Sequence, residues 1–163
     1  MPQTHITAAP GKQELFITRE FDAPRGKVFR AFTDPALLIQ WLGPRDLRME
    51  IDRMDCRTGG SYRYVHFDPA GNAYGFNGVI HDVTAPERII QTFEFEGLPE
   101  RGHVSLETAL FEELPGGRTR VRIQSVFRSV EDRDGIVASG MEHGVADSHS
   151  RLDALLAQEP SPA

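Results

Sequence analysis

Six polar side chains stand among apolar neighbours on faces expected to point inward: His66, Gln91, Thr108, Ser125, Ser148 and His149. A neutral His66 beside Tyr62 and Tyr64 could orient a carbonyl or hydroxyl group of a ligand, or take a proton as general base. The same histidine reads more readily as a hydrogen-bonded core or half-exposed residue, the commoner use of a lone one, and His149 carries the same two readings. No metal is indicated, because His5, His66, His81, His103, His143 and His149 lack ligand spacing and His143 and His149 point to different sides of a helix. There is no Gly-x-Ser-x-Gly elbow to mark a nucleophile. The Gly59-Gly60 pair is followed by a strand pattern rather than a helix start, so it reads as a bend and not a phosphate loop. Cys56 is the only cysteine, which rules out an internal disulfide and a cysteine zinc site. A reactive thiol needs a cation nearby, and Arg53 and Arg57 are neighbours in sequence only. Glu131, Asp132 and Asp134 suit a helix start. No cofactor is implied.

Periodicity indicates the elements that hold these groups. "ELFITREF" (14–21) reads as a strand. Two short helices follow, each with an aspartate cap and a proline in its first turn, Asp22 with Pro24 and Asp34 with Pro35. Gly43-Pro44 ends the second, which holds the only tryptophan, Trp41. From residue 47 to 127 the period is two, interrupted by turns at 58–60, 68–72, 86–87 and 115–117. The inward faces expected are Leu47, Met49 and Ile51; Tyr62, Tyr64 and His66; Phe76 and Gly78; Ile89, Gln91, Phe93 and Phe95; Val104, Leu106, Thr108 and Leu110; and Val121, Ile123, Ser125 and Phe127. A single long helix over 131–158 then places Met141, Val145, Ser148, Leu152, Leu155 and Leu156 on one side. Gly135, Gly140 and Gly144 weaken or bend its first half.

This order is α+β: a twisted antiparallel sheet of about six to seven strands, whose concave apolar face needs the last helix as cover. Small residues at Gly78, Gly144 and Ser148 would leave space between helix and sheet for a ligand. Residues 1–13 are expected to form a flexible leader, 14–157 one domain, and 158–163 a flexible tail.

With 163 residues, 39% hydrophobic and 26% charged, the chain is that of a single globular domain. The net charge of −6, with no basic block, excludes an electrostatic nucleic-acid footprint. No apolar run is long enough to cross a bilayer and no secretory signal opens the chain. Together with the lone thiol, this fits a cytoplasmic protein.

"REFDAPRGKVFRAFTDPALLIQWLGP" (19–44), "RTGGSYRYV" (57–65), "GVIHDVTAPERII" (78–90) and "GMEHGVADSHSRLDALL" (140–156) resemble, in order and spacing, the family named for the activator of heat shock protein 90 ATPase. The resemblance implies the helix-grip fold of the SRPBCC superfamily, which also includes START domains, the birch-pollen allergen type and polyketide cyclases. Members often carry Trp where this chain has Val145, a change expected to enlarge the cavity floor. Trp41 matches the family's aromatic at the end of the second short helix, either locking the helices on the sheet or forming the cavity rim. The cavity is expected to draw on Trp41, Tyr62, Tyr64, His66, Phe76, Gly78, Gln91, Phe93, Leu106, Thr108, Ile123, Ser125, Met141, Val145, Ser148, His149 and Leu152.

Three functions follow as expectations. The first is binding of a small apolar or amphipathic ligand. The second is a cyclase- or hydrolase-type enzyme using His66 or His149, as in superfamily kin. The third is a co-chaperone role on a chaperone ATPase, less favoured because eukaryotic activators carry an additional N-terminal domain. Neither nucleic acid nor membrane is an expected partner, and a homodimer stays open.

Overall fold

The computed structural model describes residues 2–158, and its first strand lies where a loose leader is expected. β1 (His5–Thr7) pairs antiparallel with β2 (Glu14–Phe21), setting Ile6 opposite Ile17. The leader is held by an available sheet edge, which supplies partners for its backbone amides and carbonyls. In β2 the alternation is complete: Leu15, Ile17, Arg19 and Phe21 are buried and Phe16 is exposed.

Helices α1 (Arg25–Thr33) and α2 (Pro35–Leu38) follow. The expected Asp22 cap is not made. The chain stays extended through Pro24, the residue at the N-cap, so Asp22 lies too early and accepts from Arg118 Nε at 2.7 Å instead. Asp34 does cap α2, accepting from the Ala36 amide at 3.0 Å, with Pro35 first in the helix. Val28, Phe29 and Ala31 bury one face of α1.

The remaining strands are β3 (Arg48–Met54), β4 (Ser61–Phe67), β5 (Ala73–Thr84), β6 (Arg88–Phe95), β7 (Ser105–Leu114) and β8 (Arg118–Val126). Together with β1 and β2 they form one open, curved sheet in the order β1-β2-β8-β7-β6-β5-β4-β3, one strand more than the upper expectation. Every pairing is antiparallel. An irregularity between Ile51 and Arg53 shifts the β3 register.

On β7 the inward face is Ser105, Glu107, Ala109 and Phe111, not the expected set with Leu106 and Thr108. Leu106 is 46% exposed on the convex side, and Val104 and Leu110 are also exposed. The register from the β7–β8 hairpin decides this, because Leu114 opposite Arg118 places Glu107 opposite Ser125 and Ala109 opposite Ile123.

The expected single C-terminal helix is two, α3 (Val130–Ala138) and α4 (Met141–Gln158). Gly140 breaks it with φ +87°, a left-handed conformation that a β-carbon penalises. Ser129 caps α3, accepting from the Asp132 amide at 3.0 Å. Of the expected tail, Gln158 is the last residue of α4, and 159–163 lie outside the described residues.

The C-terminal half of α4 fills its side of the sheet. Leu152, Leu155 and Leu156 join Phe21, Val28, Phe29, Trp41, Phe111 and Val121 in the larger core. Each such side chain contributes about 1.5–3 kcal/mol when fully buried. Arg19 bridges sheet and helix through a two-pronged pair with Asp153, at 3.1 and 2.5 Å. A second cluster of Met49, Tyr62, Tyr64 and Ile80 covers β3–β5.

Candidate functional site: a cavity under the C-terminal helix

Along Met141 and Val145, where α4 presents no leucine, it stands off the sheet, while His149 packs on Phe21 of β2. A cavity of about 1170 Å³ remains between them. Its exposed lining residues, Leu98, Pro99 and Glu100 from the β6–β7 loop and Glu131, Gly135 and Ser139 around α3, mark the mouth.

The aromatic wall comes from alternate residues of β4, β5 and β6. Tyr64 and Phe76 lie 5.2 Å apart between ring centres, Phe76 and Phe93 5.4 Å, and Phe76 and Phe95 5.3 Å. Tyr62 runs parallel to Tyr64 and donates its hydroxyl to the Thr92 carbonyl at 2.5 Å. Burial pushes the Tyr62 and Tyr64 hydroxyls above the usual phenol range, Tyr64 more strongly than any nearby charge does, so neither phenol is a phenolate in neutral water.

A polar row crosses the floor. Register places Ser125, Glu107 and Gln91 on adjacent strands, with Leu15 and Ile80 at its ends. Ser125 donates to Glu107 Oε2 at 3.3 Å, and Gln91 also hydrogen-bonds the carboxyl. Burial raises the Glu107 carboxyl above its ordinary value, against the opposing pull of those two bonds.

Trp41 locks the helices and does not lie at the mouth. It is 2% exposed, donates its indole N–H to the Ala31 carbonyl at 2.9 Å and packs against Phe32 at 4.8 Å, locking α2 onto α1. Its ring also lines the cavity. Of the other residues singled out in the sequence, Tyr62, Tyr64, Phe76, Gln91, Phe93, Ile123, Ser125, Met141, Val145, Ser148 and His149 also line it.

Five expected lining residues do not. Leu106 and Thr108 face outward for the register reason given above. Leu152 is consumed by the packed core. Gly78 is covered by the Tyr62 ring, since a β-carbon there would meet Tyr62 Oη at 2.5 Å and the Thr92 carbonyl oxygen at 2.0 Å. His66 is 5% exposed behind the Tyr64 and Phe76 rings, and a β-carbon on Gly43 would come within 2.6 Å of its imidazole. Its Nε2 has no partner, and burial, then the Arg151 charge, hold its pKa below the ordinary value.

His149 reaches the cavity wall but is 5% exposed. Its Nδ1 is 2.7 Å from Thr4 Oγ1, and the edge of Phe21 packs on its ring. Burial, and then the nearby Arg19 charge, push its pKa down to about 3. Ser148 points elsewhere: its Oγ accepts from the Gly43 amide at 2.8 Å and donates to the Gly144 carbonyl at 2.9 Å. Cys56 borders the cavity with its thiol raised by burial and by Asp55, while Arg57 is paired with Asp55 at 2.7 Å. That thiol is therefore not activated. Among the described residues, no group of three or more His, Cys, Asp or Glu side chains is placed to hold a metal ion, and no helix is long and apolar enough to cross a membrane.

Sequence reasoning missed Glu107, Ser105 and Ala109, and with them the polar centre of the floor. The signal was available in the hairpin: once "LPGGR" fixes Leu114 opposite Arg118, the inward Ser125 selects Glu107 as its neighbour.

The same architecture recurs in solved structures. A Rhodobacter sphaeroides protein is 28% identical, with a TM-score of 0.85 over 94% of this chain and 99% of that one. A Mycobacterium smegmatis protein is 27% identical, with a TM-score of 0.84 over 96% and 98%. The AHSA1 protein of Silicibacter pomeroyi is 27% identical, with a TM-score of 0.73 over 90% and 99%. Comparison with curated proteins gave no match. The family model for Activator of Hsp90 ATPase homolog 1-like proteins matches residues 22–157, from the strand-to-helix corner to the last turn of α4. With that span, this helix-grip chain belongs to the Activator of Hsp90 ATPase homolog 1-like family.

Proposed function

We propose that this protein binds a small, largely apolar molecule in the cavity between α4 and the sheet, as a carrier or receptor. The observation that carries the reading is the space of about 1170 Å³ walled by aromatic and aliphatic side chains. That is the size of a ligand pocket and far more than a packing defect. A guest that removes roughly 300 Å² of apolar surface from water gains about 7 kcal/mol before the costs of association.

Chemistry at a histidine fits the site less well. A general base must reach the proton it takes. His66 is shut behind two rings and Gly43, and His149 is a weak base held by Thr4. A binding role needs neither group to react.

Native mass spectrometry of freshly purified protein tests the reading, followed by calorimetric titration with 2-naphthylethanol. A co-purified small mass, or saturable 1:1 binding of the probe that Val145→Trp abolishes, is expected. Folded protein with no co-purified mass that binds neither 2-naphthylethanol nor 2-naphthylethylamine would refute it.

A further inference from the structure

The acidic side chains of the cavity lining outnumber the basic ones, His103 beside Asp132 and Glu100 being the basic group among them. Asp68, Glu100, Glu107, Glu131 and Asp132 line it, and among the described residues no lysine or arginine does. Three of the four carboxylates outside the floor are already engaged. Asp132 lies 2.8 Å from His103 Nδ1, Glu100 3.7 Å from Arg128, and Asp68 accepts from Tyr74 and Asn72. Glu107 differs from these. It lies in the middle of the floor, its hydrogen-bond partners Ser125 and Gln91 are both neutral, and no cationic side chain pairs with it. A half-buried carboxyl facing a largely apolar cavity without a cation beside it is costly in its charged form, and a cation brought by a guest would remove that cost.

The wall beside it is suited to the same guest. Aromatic faces carry negative partial charge and attract cations within about 6 Å of the ring centre. Tyr64, Phe76, Phe93 and Phe95 offer a continuous run of such rings on β4–β6, the strands next to the floor row. A neutral guest would gain from the apolar rings but not from the excess of acidic groups. A carboxylate guest would meet Glu107 as a like charge.

We infer that the ligand is a lipophilic amine, an apolar or aromatic body bearing one ammonium group that pairs with Glu107 while the Tyr64–Phe76–Phe93 wall holds the body. This rests on the ligand-binding reading above and names its substrate class. The acidic mouth adds a long-range preference of the same sign, since a cleft lined with one sign of charge concentrates the opposite ion.

The test uses a matched pair, 2-naphthylethylamine and 2-naphthylethanol, titrated calorimetrically into the wild-type protein and into Glu107→Gln at physiological salt. The wild type should bind the amine at least tenfold more tightly than the alcohol. E107Q should bring the two within about threefold of each other while leaving the alcohol's affinity within about threefold of wild type. Equal or weaker amine binding by the wild type overturns the inference, and so does a preference that survives E107Q, which would place its origin at the mouth. Failure of both probes on the wild type would instead defeat the ligand-binding reading, and the inference with it. Nuclear Overhauser contacts in the wild type give a readout independent of the variant's folding. The methylene beside the probe's nitrogen should contact Gln91 and Ser125, and contacts only to Leu98 or Ser139 at the mouth would contradict the assignment.

Discussion

Acid should destabilise this protein through His149 before it does so through the surface carboxylates. In the unfolded chain the imidazole takes its proton near the ordinary value of 6.5, but in the native wall it does so only near about 3. Between those values the unfolded state binds the extra proton, so stability falls as pH falls, and above 6.5 the group contributes nothing to the pH dependence. The full gap corresponds to a ceiling of roughly 5 kcal/mol, at about 1.4 kcal/mol for each pH unit. From pH 7.5 to pH 5 the expected loss from His149 alone is about 2 kcal/mol. Glu107 works in the opposite direction. Its raised native pKa makes the folded state the better proton binder, so its contribution falls as pH rises. The two effects separate by comparison with His149→Asn, which can keep a hydrogen bond to Thr4 and cannot titrate. Urea denaturation at both pH values should give a wild-type loss larger than the variant's by about 2 kcal/mol. Parallel losses, within about 0.5 kcal/mol, would refute the claim that His149 is held neutral by burial and by Arg19.

Trp41→Phe should cost about 1–3 kcal/mol in urea denaturation, because it shrinks a buried ring and leaves the Ala31 carbonyl without its donor. Phe111→Ala should cost about 3–5 kcal/mol, while Leu106→Gln, five strand positions away on the opposite face, should stay within about 0.5 kcal/mol. The reverse ranking would mean that β7 is read on the wrong face. Arg133 is the only buried residue of α3, and it donates to the Glu14 and Ala9 carbonyls at 2.8 and 2.9 Å. Arg133→Ala should therefore raise amide exchange across 130–138 and in β1 well before it alters exchange in β7 or β8. Uniform exchange changes across the sheet would contradict that local role.

The parts of this fold legible in the sequence were those where pattern and chemistry agreed. Asp34-Pro35 set a capped helix start, Pro115-Gly116-Gly117 set a hairpin, and Val121, Ile123 and Ser125 alternated cleanly inward. β7 was misread because "VSLETAL" carries its larger apolar residues on the exposed convex face, so hydropathy selected the wrong parity. Register across the hairpin is a stronger constraint than local hydropathy there, and it is long-range in character. The break at Gly140 was foreshadowed by three glycines, but their effect depended on which one adopted positive φ. His66 illustrates a different limit. Its face was assigned correctly, yet whether an inward side chain meets a void or other side chains depends on Tyr64, Phe76 and Gly43, which come from three separate segments. The leader's pairing with β2 depended on an unoccupied strand edge, which residues 1–13 alone do not reveal.

The most direct test of the unfilled space beneath α4 is a crystal structure determined under xenon pressure, because xenon enters apolar cavities without needing a specific partner. Ordered xenon bounded by Tyr64, Phe93, Ile123 and Val145 is the expected result. A xenon-free interior in which α4 has moved down so that Met141 and Val145 pack directly on Phe93 and Ile123 would contradict it.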